Sequence, residues 1–172
     1  FAEQGRCITK QDYEFRAKTL PSRFGSIAKV YAIKENALDL AITSKKVDNQ
    51  TISLYSLGYD INKKLVGTNF NTQNNLAKYL SEFMPVTDTL KLKDALIINI
   101  GVKYEIILRP NFNSRDVLIQ CTEELKTFFN IDNWQINQPI NVSDIYTLLD
   151  KIKGVQTVQS VVITDKNSTD HG

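Results

Sequence analysis

Residues 94–139 read DALIINIGVKYEIILRP (94–110), NFNSRDVLIQCTEELKTFFN (111–130) and IDNWQINQP (131–139). In the first piece every second residue is apolar: Leu96, Ile98, Ile100, Val102, Tyr104, Ile106 and Leu108. Asn99, Lys103, Glu105 and Arg109 stand between them. A period of two predicts a strand with one buried face and one mostly wet face. Fully extended, the run would be roughly 50 Å long at about 3.3 Å per residue. A compact chain of this length is only roughly 40 Å across. The strand is therefore expected to bend, and Gly101 is the natural place for a kink or bulge.

The second piece predicts a helix. Asn113 can cap it, and Asp116 places a carboxylate where it complements the helix N-terminus. Val117, Cys121, Leu125 and Phe128 form an apolar stripe, widened by Leu118 and Phe129. The third piece predicts a short strand, Trp134 to Ile136, ending at Pro139. Strand, helix and strand in this order make a βαβ or split βαβ unit. Trp134 is expected to be largely buried beside the helix that carries Phe128 and Phe129.

Outward from this stretch, Thr9 and Asp12 are spaced as a capping box, flanked by Ile8 and Tyr13 as a hydrophobic staple. That helix should run to Leu20, because Pro21 cannot continue it. Strands are predicted from Ser26 to Lys34 and from Thr51 to Tyr59, with a further alternation at Leu38, Leu40 and Ile42 and a polar loop from Ser44 to Gln50. Asp60 to Thr72 reads as a loop, Asn74 to Met84 as a helix stopped by Pro85, and Val86 to Lys93 as a lead into the long strand. Asn141 with Asp144 starts a last helix, with Ile140 and Ile145 as a second staple. Ile145, Leu148, Leu149 and Ile152 form its buried face, Gly154 stops it, and Val155 to Thr164 is the last strand. The expected fold class is α/β (α+β), as two successive small mixed-sheet units with helices packed on the sheets. The first unit would be residues 9–93, the second a β-α-β-α-β unit over 94–164, and 165–172 a flexible tail.

Composition narrows the function classes. The 172 residues are 42% hydrophobic and 23% charged, which is ordinary for a soluble globular protein. A net charge of +2 is too weak to suggest a nucleic-acid or membrane surface. No apolar run has transmembrane length, and no signal peptide opens the chain. A sequence that starts at Phe1 is expected to be a piece of a longer protein. Cys7 and Cys121 lack metal-ligand spacing and read as reduced thiols.

No phosphate-binding, dinucleotide-binding, nucleophile-elbow or zinc-protease motif is present. The single histidine, His171, lies in the expected tail, where an imidazole cannot be held for catalysis. Glu123 and Glu124 are adjacent on a helix and face different ways, which makes them a solvated surface rather than an acid–base pair. Phe128, Phe129 and Trp134 could form a stacking platform for bases, but their spacing and the weak charge favour core packing. On residues alone the chain is a binding or structural module. The expected cofactor is none, the expected metal none and the expected catalytic residues none.

Four stretches carry a resemblance: ITKQDYEFRAKTLPSRFGSIAKVYAI (8–33), LYSLGYD (54–60), VTDTLKLKDALIINIGVKYEIILRPNFN (86–113) and FNIDNWQINQPINVSDIYTLLDKIKGVQTVQ (129–159). They resemble the large baseplate wedge proteins of T-even-type contractile-tailed bacteriophages and, more distantly, are similar to the baseplate J-like family. The resemblance implies a middle-to-C-terminal fragment of a virion structural protein in the tail baseplate, assembled in the host bacterial cytoplasm. It implies self-association as a homodimer, binding to other baseplate wedge proteins, and a part in the rearrangement that triggers sheath contraction. It brings no catalytic residue and no cofactor, and it assigns no interface residue. Nucleic acid, membrane and small-molecule substrate are not expected partners. The competing reading is a small-ligand-binding or enzymatic domain of ferredoxin-like build, which would need a deep pocket of convergent polar groups. A flat exposed apolar patch would favour assembly instead. For self-pairing, the expected surface is the odd face of the long strand, with Ala95, Ile97 and Ile107 at its ends.

Overall fold

A computed structural model describes residues 5–35 and 50–166. The expectations for 38–42 and 44–49, and for His171 in the tail, lie outside the described residues. The fold is mixed α+β, with four helices and six strands in two sheets among the described residues. The chain divides into two compact units, Phe1–Ile97 with Gln135–Asn137, and Ile98–Trp134 with Gln138–Gly172.

The first unit opens with helix α1, Lys10–Lys18. Its capping box forms as the sequence predicts: Asp12 N donates to Thr9 Oγ1 at 3.2 Å, and Thr9 N to Asp12 Oδ2 at 2.7 Å. Tyr13 is buried while Ile8 stays exposed, so the staple is absent. Strand β1, Lys29–Glu35, runs antiparallel to the ten-residue β2, Gln50–Tyr59. On the other side of β2 lie two strands end to end: β3, Leu65–Gly67, antiparallel, and β4, Asp88–Asp94, parallel. Helix α2, Phe70–Ser81, makes the crossover between β2 and β4.

The βαβ connection therefore lies here, ahead of the stretch where the sequence places it. The expected loop over 60–72 was also too long. Asn69 caps α2 by accepting from Thr72 N at 2.8 Å, and the helix starts at Phe70, four residues before the predicted start. Val30 and Ala32 of β1, Ile52 and Leu54 of β2, and Leu76 and Leu80 of α2 close the core over Tyr13, Ala17 and Cys7. Two groups fix the edges of this sheet. Ala32 N donates to Glu14 Oε1 of α1 at 2.9 Å. Asp94 Oδ1 accepts from Thr68 N and Gln73 Nε2, each at 2.9 Å, tying the end of β4 to the start of α2.

The long strand is interrupted. Asp94 ends β4, residues 95–99 are irregular, and β5 starts afresh at Ile100 and runs to Leu108. Leu96 and Ile98, expected on the buried face, are 85% and 59% exposed. The expected odd face loses its basis as well, since Ala95 and Ile97 belong to no strand. The strand breaks at 95–99, before Gly101, rather than kinking or bulging at that glycine. Gly101 sits inside β5 opposite Thr164, where a Cβ would come within 2.8 Å of Thr164 Oγ1. It permits a close approach rather than a kink.

In the second unit β5 pairs antiparallel with β6, Val155–Asp165. Glu105 and Ile106 face Ser160 and Val158, and Ile107 and Leu108 face Thr157 and Val155, which leaves Gln159 and Gln156 as bulged residues of β6. Helix α3, Ser114–Phe128, and helix α4, Val142–Asp150, connect the two strands. No strand forms at 134–136: a 3₁₀ turn, Ile131–Asn133, leads instead into irregular backbone. The expected β-α-β-α-β order is thus β-α-α-β. Residues 134–136 pair with neither β5 nor β6, so they form no ladder.

Val117, Cys121, Leu125, Ile145, Leu149, Ile152, Val155 and Val161 make the core of this unit, with Val102, Tyr104, Ile106 and Leu108 of β5 partly buried against it. Asn113 caps α3 by accepting from Arg115 N at 2.9 Å. Asn141 precedes α4 without a side-chain cap, and Asp144 N bonds its backbone oxygen instead. Gly154 turns the chain at φ +99°, where a Cβ would lie 2.8 Å from both Phe112 and Val117. The stop predicted from sequence is therefore also a close packing point.

Candidate functional site

Several groups able to do chemistry are buried or hydrogen-bonded to one another. Cys7 and Cys121 are free and buried, and burial pushes both thiols up, away from the reactive thiolate. Tyr13 donates to Asp88 Oδ2 at 2.6 Å, and burial followed by that bond pushes the phenol up, so it stays protonated. Ser53 Oγ donates to Glu35 Oε1 at 3.0 Å, and the Ser56 and Thr68 hydroxyls pair at 3.0 Å. No buried side-chain nitrogen or oxygen lacks a partner among the described residues. No cluster of histidine, cysteine and carboxylate residues among them has the make-up of a metal site. No described helix is long and apolar enough to cross a membrane.

Glu123 and Glu124 face different neighbours. Glu123 Oε1 pairs with Lys126 Nζ at 3.0 Å on the outside of α3, both side chains being well exposed. Glu124 lines an open groove of about 500 Å³ with Phe128, Trp134, Pro139, Asp144 and Leu148. Trp134 is mostly covered beside Phe128 and Phe129, as the sequence predicts, without being fully enclosed. It stacks on Phe129 at 5.5 Å and 13°, meets Phe128 edge-on at 5.6 Å, and donates from Nε1 to Phe128 O at 2.8 Å. The indole joins the end of α3 to the turn that follows.

A second surface was not singled out by the sequence reading. Leu118 and Ile119 of α3 are 44% and 54% exposed. Leu118, expected to widen the buried stripe, instead lines a shallow groove of about 520 Å³ on the outside of the helix. Ile119 is two residues from both Val117 and Cys121, so at 3.6 residues per turn it points roughly 160° from each. An apolar β-branched residue at that position was a visible signal.

No protein-family model matches the sequence, and no curated protein matches it. Among solved structures, the chain is similar to a chain of the anti-feeding prophage (AFP) baseplate, determined by cryo-EM with 6-fold symmetrisation. The TM-score is 0.61 at 12% identity, over 95% of this chain and 34% of that one. The present sequence thus spans about a third of the chain whose fold it shares.

Proposed function

We propose that this chain is a structural component of a contractile-tail baseplate and acts through protein–protein contacts rather than catalysis. The observation that carries the reading is the shared fold with the AFP baseplate chain over 95% of the present sequence. The side-chain chemistry is compatible with it, since the buried polar groups bond to one another within the core. Both grooves are open surface features, and one of them exposes Leu118 and Ile119. These features favour assembly over the ferredoxin-like enzyme reading, which needs a deep polar pocket.

In finer terms, we read the chain as part of a wedge subunit of T-even type. It pairs with a second copy of itself, binds other wedge proteins, and takes part in the rearrangement that triggers sheath contraction. It is assembled in the host bacterial cytoplasm and resides in the tail of the virion. Immunogold labelling of purified particles with an antibody raised against residues 94–166 tests the location. Gold at the baseplate end of the tail is the expected result. Label confined to the head, or to soluble host protein with none on particles, would overturn the reading.

A further inference from the structure

The outside of α3 is built from two parallel ridges. Arg115, Ile119 and Glu123 follow one another at spacings of four, and Ser114, Leu118, Thr122 and Lys126 do the same beside them. The shallow groove described above lies between these ridges and is lined by both. Within the first ridge, a cation and an anion stand four residues to either side of an exposed isoleucine.

That order is self-complementary. Under a two-fold axis through Ile119, the ridge of one copy meets the same ridge running the opposite way. Each Arg115 then faces Glu123 of the other copy, and Ile119 faces Ile119. Symmetric contacts of this kind use one patch on both partners. Arg115 also stands in the first turn of α3, where a cation works against the helix dipole. A local cost of that sort suits a residue placed for an external contact.

We infer that α3 is the docking surface for a second copy of this chain, through antiparallel pairing of the Arg115–Ile119–Glu123 ridge. The inference rests on the self-association in the proposed function and assigns it a surface. It replaces the odd face of the long strand, which does not form. One helix-on-helix patch is small beside the roughly 1,000 Å² or more of a stable interface. Pairing by this surface alone is therefore expected to be weak.

Sedimentation equilibrium of the full chain up to several hundred micromolar reads the outcome. The wild-type mass should rise from 19.6 kDa toward twice that value with concentration. Arg115→Glu and Glu123→Arg should each hold the chain at the monomer mass, because like charges then meet twice across the axis. Arg115→Glu places an anion in the first turn, which favours the helix, so its effect does not arise from unfolding. An equimolar mixture of the two variants restores both ion pairs and should recover the mass increase. A wild-type chain that stays monomeric throughout would overturn the inference, and so would a wild-type dimer that both variants retain. In the second case self-pairing survives through another surface. The particle-labelling result stands independently of either.

Discussion

Strand β2 of the first unit and strand β5 of the second differ in what flanks them. β2 has β1 on one side and β3 with β4 on the other, and Ile52, Ser53, Leu54, Ser56 and Leu57 are all buried. Residues pointing to both faces are covered, so no alternation survives along it. Among the described residues β5 has a single partner, and its residues alternate between partly buried Val102, Tyr104, Ile106 and Leu108 and exposed Lys103, Glu105 and Ile107. A period-two pattern is clearest in the sheet that is smallest, where helices cover one face and solvent the other. The central strand of the larger sheet is recognised by its β-branched and aromatic content instead.

The largest test of this contrast is a pair of substitutions. Leu54→Ala opens a cavity in a fully enclosed site and should cost about 4 kcal/mol. Ile106→Ala, on the half-covered strand, should cost about 2 kcal/mol. Denaturant titration of both variants checks the order, and equal losses would mean that β5 is as enclosed as β2.

A two-stranded sheet leans on what its helices bring, which gives Trp134 a measurable share. Trp134→Ala should cost about 2 kcal/mol, less than a fully buried tryptophan because the indole is not fully enclosed. Trp134→Phe keeps the stack on Phe129 and loses the bond to Phe128 O, for about 1 kcal/mol. Equal losses from the two variants would assign the whole effect to the indole N–H.

The smallest effect compares the helix starts. The Thr9 and Ile8 N–H groups hold the Asp12 carboxyl below the usual carboxylate range. Its folded value is depressed, so the stabilisation is complete above the unfolded value of about 3.9 and is lost as pH falls through the folded one. Asp12→Asn should lower stability by less than about 1 kcal/mol at neutral pH, a modest figure for an exposed cap. The gap from wild type should close in acid. Asn141, which lends α4 no side-chain cap, should tolerate alanine with almost no change in the same titration.

Much of the architecture was legible, for reasons that can be named. Thr9 with Asp12, Asn113, Pro85 and Gly154 act through local backbone geometry, and local geometry is what a sequence displays. The break at 95–99 was hidden because Leu96 and Ile98 continue the alternation while standing in solvent. What ends β4 is Asp94, held by Thr68 and Gln73, a contact over more than twenty residues that no periodicity reveals. The start of α2 was missed although Asn69 is a good cap, because the surrounding polar residues masked it. Of the candidate surface, Arg115 and Glu123 are unremarkable charges in a linear reading. Only the helical positions of Ile119 and Leu118 distinguish them, and Leu118 had been assigned to the core side.

The hydrogen bond from Ala32 N to Glu14 Oε1 bears on what the outer edge of β1 can pair with. A bordering strand offers its free amide hydrogens as a template on which another molecule can extend the sheet. In β1 one of those hydrogens already has its acceptor on α1, and in β6 the Val161 N–H is likewise taken by Tyr146 Oη of α4 at 3.1 Å. Strand addition by a stray copy must first displace a helix side chain from each of these sites. The two contacts therefore disfavour strand addition at the outer edges of β1 and β6.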